Sequence, residues 1–89
     1  MPYDGVLENL AVHISGNNMN GNTVVTANKN GSATTITITI GAGVTGNLYD
    51  NTHTASFAQG DSLDTHVDTL ASQDAKRTII SASYEYVKS

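Results

Sequence analysis

Asp64, His66 and Asp68 stand on alternate positions and are the nearest thing in the chain to a chemical constellation. A carboxylate–imidazole–carboxylate row can hold a divalent metal. On a strand, however, the end members of such a row lie about 13–14 Å apart, given about 3.3 Å per residue. One ion cannot bridge that distance, so the row is expected to be a solvated face and not a metal site. The other histidines, His13 and His53, are scattered, and only a symmetry axis would gather copies of His13, His53 or His66. Nothing in one chain specifies that. No Gly-x-Ser-x-Gly frame sets a histidine beside a serine for nucleophilic catalysis. Asp61 and Asp64 are close enough in sequence to suggest paired glycosidase carboxylates, but Asp61 belongs to the turn Gln59-Gly60-Asp61. Asn30-Gly31-Ser32 is formally a glycosylation sequon and reads better as a turn. The expectation is no catalytic residue, no cofactor and no metal.

The aromatic residues suit contact better than chemistry. Tyr84 and Tyr86 fall in an alternating run and are expected to cap a core. Tyr3 and Tyr49 fall in irregular segments, where an exposed ring fits a protein interface or a carbohydrate platform. The chain has 89 residues, one domain's worth, with a net charge of −4 and four basic residues. So few cations cannot neutralise nucleic-acid phosphates or hold an anionic membrane surface. No apolar run approaches the roughly 20 residues that span a bilayer. A domain this small buries only about 60–65% of its unfolded surface. Small domains compensate with disulfides, metals or oligomerisation. Cysteine is absent, which leaves oligomerisation or docking onto a larger assembly.

Behind these residues the chain is a series of strands and turns. Residues 1–5 form a lead-in arm. Val6 to Ile14 alternates, with Leu10, Val12 and Ile14 on one face and Asn9, Ala11 and His13 on the other. Residues 15–22, with Met19 the one apolar side chain, are expected to be a loop. Thr23 to Ile40 forms a hairpin over Asn30-Gly31, because a type I′ turn needs positive φ at both central residues. With a simple two-residue loop, Val25 opposes Ile36 and Thr23 opposes Ile38. Those residues share the core face with Ala27 and Ile40, leaving Val24, Thr26, Thr35, Thr37 and Thr39 outside. The glycine-rich segment from Gly41 to His53 is expected to be a long connection, followed by a short strand with Ala55 and Phe57 inward. Residues 62–70 fit either helix or strand, and their β-branched residues favour the strand. Ala71 to Lys76 suggests a turn. Arg77 to Val87 closes the chain as a strand with Ile80, Ala82, Tyr84 and Tyr86 on one side. The sum is all-β: an antiparallel β-sandwich, jelly-roll-like, of about six to eight short strands.

This order of features, GVLENLAVHI, then TVVTANKNGSATTITITI, a glycine-rich loop, THTASFAQGDSLDTHV and an aromatic-rich last strand, resembles the small jelly-roll-like virion proteins of tailed bacteriophages. The shared marks are the Lys29-Asn30-Gly31 turn and the Gly60-Asp61 turn leading into a Leu/Val strand. The resemblance implies a non-enzymatic structural protein, a homotrimer made in the host cytoplasm and carried on the virion. A chain that starts almost directly in its first strand suits a capsid cement or head decoration protein. Such a protein binds the outer surface of the major capsid protein lattice and stabilises the head. The alternative is a receptor- or glycan-binding tip domain of a tail or head fibre. Long loops in small domains are often functional, so the expected contact residues are Pro2, Tyr3, Asp4, Val6, Met19, Leu48, Tyr49 and His53.

Overall fold

A computed structural model of the chain describes residues 1–69 and 78–89. Among these residues there are seven strands and no helix: β1 (Gly5–Asn17), β2 (Thr23–Lys29), β3 (Ser32–Ile40), β4 (Gly46–Asp50), β5 (Ala55–Phe57), β6 (Leu63–Thr69) and β7 (Thr78–Lys88). In one sheet β1 is central, with β7 along one edge and β4 and β5 end to end along the other. The second sheet runs β3-β2-β6. Every pairing is antiparallel. Leu7, Leu10, Val12, Ile14 and Phe57 from the first sheet meet Val25, Ala27, Ile36, Ile38 and Ile40 from the second in one buried cluster. The fold is the expected all-β antiparallel sandwich.

Leu7 and Leu10 are both buried, although residues three apart face opposite ways on a regular strand. Asn9 resolves the conflict. It takes φ 54°, a left-handed conformation that asparagine tolerates better than most residues, and the β1–β7 register slips between Glu8 and Ala11. Asn9 Nδ2 also donates to Glu85 Oε1 at 2.8 Å. β1 runs past the expected end at Ile14, because Gly16 and Asn17 pair with Ile79 and Thr78. The first three residues of the expected 15–22 loop are therefore strand. The local composition is poor for a strand, but a distant partner supplies the hydrogen bonds. Asn17 then organises the turn that follows. Its Nδ2 donates to the carbonyls of Gly41 (3.2 Å) and Val44 (3.0 Å), and its Oδ1 accepts the Met19 N–H at 2.9 Å.

The hairpin turn forms as expected: Lys29 pairs with Ser32, and Asn30 and Gly31 take φ 50° and 84°. Further along, the register departs from expectation. Val25 faces Ile38, not Ile36, and Thr23 faces Ile40, not Ile38. Between the Asn28–Ala33 and Thr26–Thr37 pairs, three residues of β3 (Thr34, Thr35, Ile36) stand against Ala27 alone. This is a bulge with two extra residues. Thr34 fills it, donating from Oγ1 to the Ala27 carbonyl at 2.8 Å and accepting the Ile36 N–H at 3.2 Å. A shift of two keeps side-chain parity, so Val25, Ala27, Ile36, Ile38 and Ile40 stay buried.

The segment from Gly41 to His53 is not a continuous connection. Residues 46–50 are β4, paired with residues 10–14 of β1. Leu48 packs against the core and Asp50 is buried, while Asn47 and Tyr49 face outward. One apolar residue per face, with a glycine at the start, carries too little alternation to mark a strand; the pairing with β1 makes it one. Residues 63–69 are strand, as the threonines and valine favoured. Leu70, Arg77 and the turn expected over Ala71 to Lys76 lie outside the described residues.

Candidate functional site

The N-terminal lead-in lies down on its own chain. The Met1 ammonium donates to the Asp61 carbonyl, and the Gly60 N–H donates to the Met1 carbonyl at 2.8 Å. Asp4 accepts the Gln59 N–H at 2.7 Å, and the Tyr86 hydroxyl donates to the Tyr3 carbonyl at 2.6 Å. The Tyr3 and Tyr86 rings stack at 5.3 Å. Pro2, Tyr3 and Asp4 are exposed and Val6 is half-buried, so this end offers a fixed surface and not a free arm. Beneath it, Asp61 accepts Asn30 Nδ2 at 3.0 Å and the Ala58 N–H at 2.8 Å. The Asn30 hydrogen bond foremost, then that of Ala58, holds the Asp61 carboxyl below its ordinary range. Asp61 serves its turn.

Asp50 ties the two sheets together. Its Oδ2 accepts the Thr37 N–H of β3 at 3.2 Å, and its Oδ1 accepts the N–H groups of Thr52 and His53 at 3.3 Å each. His53 Nδ1 lies 2.9 Å from Oδ2. Burial pushes the Asp50 carboxyl up, but hydrogen bonds from His53, Thr52 and Thr37 together outweigh it, so the group ionises more readily than a free aspartate. A carboxyl whose folded pKa is depressed adds stability above its unfolded pKa and loses it as pH falls through the folded one. Stability is therefore expected to hold at neutral pH and to drop from about pH 4 downward. Asp50→Asn should cost about 1–3 kcal/mol at neutral pH and make the acid limb shallower. Urea titrations at pH 7 and pH 3 measure both; an equally steep acid limb in Asp50→Asn would remove Asp50 from the linkage.

The flank formed by β6 and β7 is unlike the rest of the sandwich. Residues paired across a sheet share a face, and Val67 pairs with Val25. Val25 is fully buried, yet Val67 is 47% exposed. The neighbouring pairs repeat this: Thr23 and Ala27 are buried, while their partners Thr69 and Thr65 are exposed. In the other sheet Val12 is buried and its β7 partner Ala82 is exposed. The Thr65 and Tyr84 hydroxyls hydrogen-bond across the two strands at 2.8 Å. On the outer face of β7, Ile79 is 55% exposed and Val87 is exposed as well. Among the described residues β6 pairs only with β2 and β7 only with β1, so β7 is there a long edge with apolar side chains exposed on both faces. Such edges readily pair or dock with another chain.

The remaining expected residues are dispersed. Met19 is buried in its own chain, so it is not an accessible contact residue; Leu48 is half-buried, packed against the core with part of its side chain still open. His53 is exposed but engaged with Asp50. Tyr49 is open on the outer face of β4. His13 lies on the outer face of the first sheet, and His66 lies on that of the second, between Asp64 and Asp68. No group of three or more His, Cys, Asp or Glu converges among the described residues. Ile79 and Val87 were legible as apolar residues facing away from the core, although the alternation did not mark them as contact residues. The chain matches no family model, no curated protein and no solved structure.

Proposed function

We propose that the chain is a non-enzymatic structural protein of a bacteriophage virion: a capsid cement protein that trimerises and binds the outer surface of the major capsid protein lattice. The observation that carries this reading is the uncovered β6–β7 flank, with Val67 and Ala82 inward and Ile79 and Val87 outward. A second copy covering the inner side of the flank would bury Val67 and extend a small core. The exposed Tyr3 ring and the pinned lead-in supply a rigid surface for the shell. Binding the assembled lattice in preference to its free subunits stabilises the lattice by mass action, without chemistry. Cryo-electron microscopy of the parent particle tests the role. Density for trimers of this chain on the head supports it; density at a tail tip, or none on the capsid, overturns it.

A further inference from the structure

The outer face of the first sheet carries a hollow of about 320 Å3 that reaches from β4 across β1 onto β7, at the small end of the range for small-molecule sites. Two cross-strand rows build it. Tyr49, Ala11 and Ser83 lie side by side on β4, β1 and β7, and Asn47, His13 and Ser81 form the next row. With strands about 4.8 Å apart, the backbones of Tyr49 and Ser83 stand about 10 Å apart. Between them stands only the Ala11 methyl group, and Ser83 and Ser81 add two hydroxymethyl groups along β7. Tyr49 borders that floor with a ring 61% exposed. On the second row His13 Nδ1 meets Asn47 Oδ1 at 2.7 Å. With that oxygen accepting, His13 donates from Nδ1, and in the neutral ring Nε2 is then an acceptor, while Asn47 Nδ2 presents donors.

From this geometry we infer that the hollow binds a neutral saccharide, with one pyranose ring lying over Ala11 against Tyr49 and its hydroxyls read by Asn47, His13, Ser81 and Ser83. A sugar ring has an apolar C–H face and a rim that both donates and accepts. The hollow pairs an aromatic ring and a methyl group with exactly those two kinds of polar group. Among the described residues no lysine or arginine lines it, so an anionic sugar finds no counter-charge there. The inference goes beyond the structural role proposed above and does not depend on it, since the aromatic and polar side chains it uses lie on the face away from the core and include neither Val67 nor any residue of β6.

An array of neutral gluco-, galacto- and manno-configured oligosaccharides, with sialylated and sulfated glycans as the comparison arm, tests it on the whole chain. The expected result is binding confined to the neutral arm, competed by the free sugar. Tyr49→Ala should weaken it at least tenfold, Asn47→Ala severalfold, and Tyr49→Phe little. Tyr49 is exposed, so far-UV circular dichroism of Tyr49→Ala should match the parent, which separates lost binding from lost fold. No hit in the neutral arm, hits in the acidic arm alone, or binding that survives Tyr49→Ala in the folded variant would each overturn the inference.

Discussion

Leu10→Ala is expected to be the most damaging single truncation, at about 3–5 kcal/mol. Leu10 is fully buried, directly follows the Asn9 bulge and belongs to the one cluster that joins the two sheets. Removing three carbons there forfeits their transfer energy and leaves a cavity that a bulged, register-locked strand cannot close. Stabilities of about 0.05–0.15 kcal/mol per residue give a chain of this length about 4–13 kcal/mol in total. The loss therefore removes from about a quarter of the stability to all of it. Urea unfolding followed by far-UV circular dichroism should show a much lower midpoint at an unchanged slope. Thr35→Ala, on the exposed outer face, should move stability by no more than about 0.5 kcal/mol. A Leu10→Ala midpoint close to that of Thr35→Ala would mean that the core is not where the burial places it.

Gly5→Ala is expected to cost about 1–3 kcal/mol by overpacking, although it adds one carbon. A Cβ at Gly5 would lie 2.6 Å from the Val87 carbonyl oxygen and 2.7 Å from Tyr86 Cζ. The first neighbour is backbone and cannot rotate away. The second is a ring held by its stack on Tyr3, its edge contact with Phe57 and its hydroxyl bond to the Tyr3 carbonyl. The strain therefore falls on the β1–β7 pairing and on the N-terminal lead-in together. Thermal melts should show a clear drop, with near-ultraviolet tyrosine signals altered as the Tyr3–Tyr86 stack opens. A melt identical to the parent's would show that β7 can move away from β1 at low cost.

Much of the fold was legible in side-chain alternation. The Thr35–Ile40 run announces Ile36, Ile38 and Ile40 as buried, and Asn30-Gly31 announces the turn. What was not legible depends on partners far away in sequence. The Thr34 bulge shifts the register by two, and the pattern of faces is the same with or without it. The Asn9 bulge is visible only as the odd spacing of Leu7 and Leu10. β4 is a strand because β1 lies beside it, and its own composition does not announce one. The flank was half legible. Alternation told which way Val67, Ile79 and Val87 point, but not whether the opposite sheet is wide enough to cover Val67.

The threonine face of the hairpin is polar and lies open on the outside of the second sheet. Thr35, Thr37 and Thr39 are exposed, and the Thr26 and Thr37 hydroxyls lie 3.1 Å apart, so the outer row satisfies part of its polarity internally. Solvent suffices to cover it. The apolar side chains that solvent covers poorly are those of β6 and β7, and the structural role proposed for the chain turns on them.

The most direct measurement is sedimentation velocity on the parent chain and on Val67→Glu, from micromolar to millimolar concentration. Val67 is half open in the single chain, so a glutamate there should leave the fold and its circular dichroism unchanged. The same glutamate inside an interface would be a buried, unpaired charge and should break it. The expected result is a discrete parent species of three times the 9.3 kDa chain mass and a folded, monomeric Val67→Glu. A parent chain that stays monomeric throughout, or a Val67→Glu variant that keeps the parent's oligomer, would contradict the account.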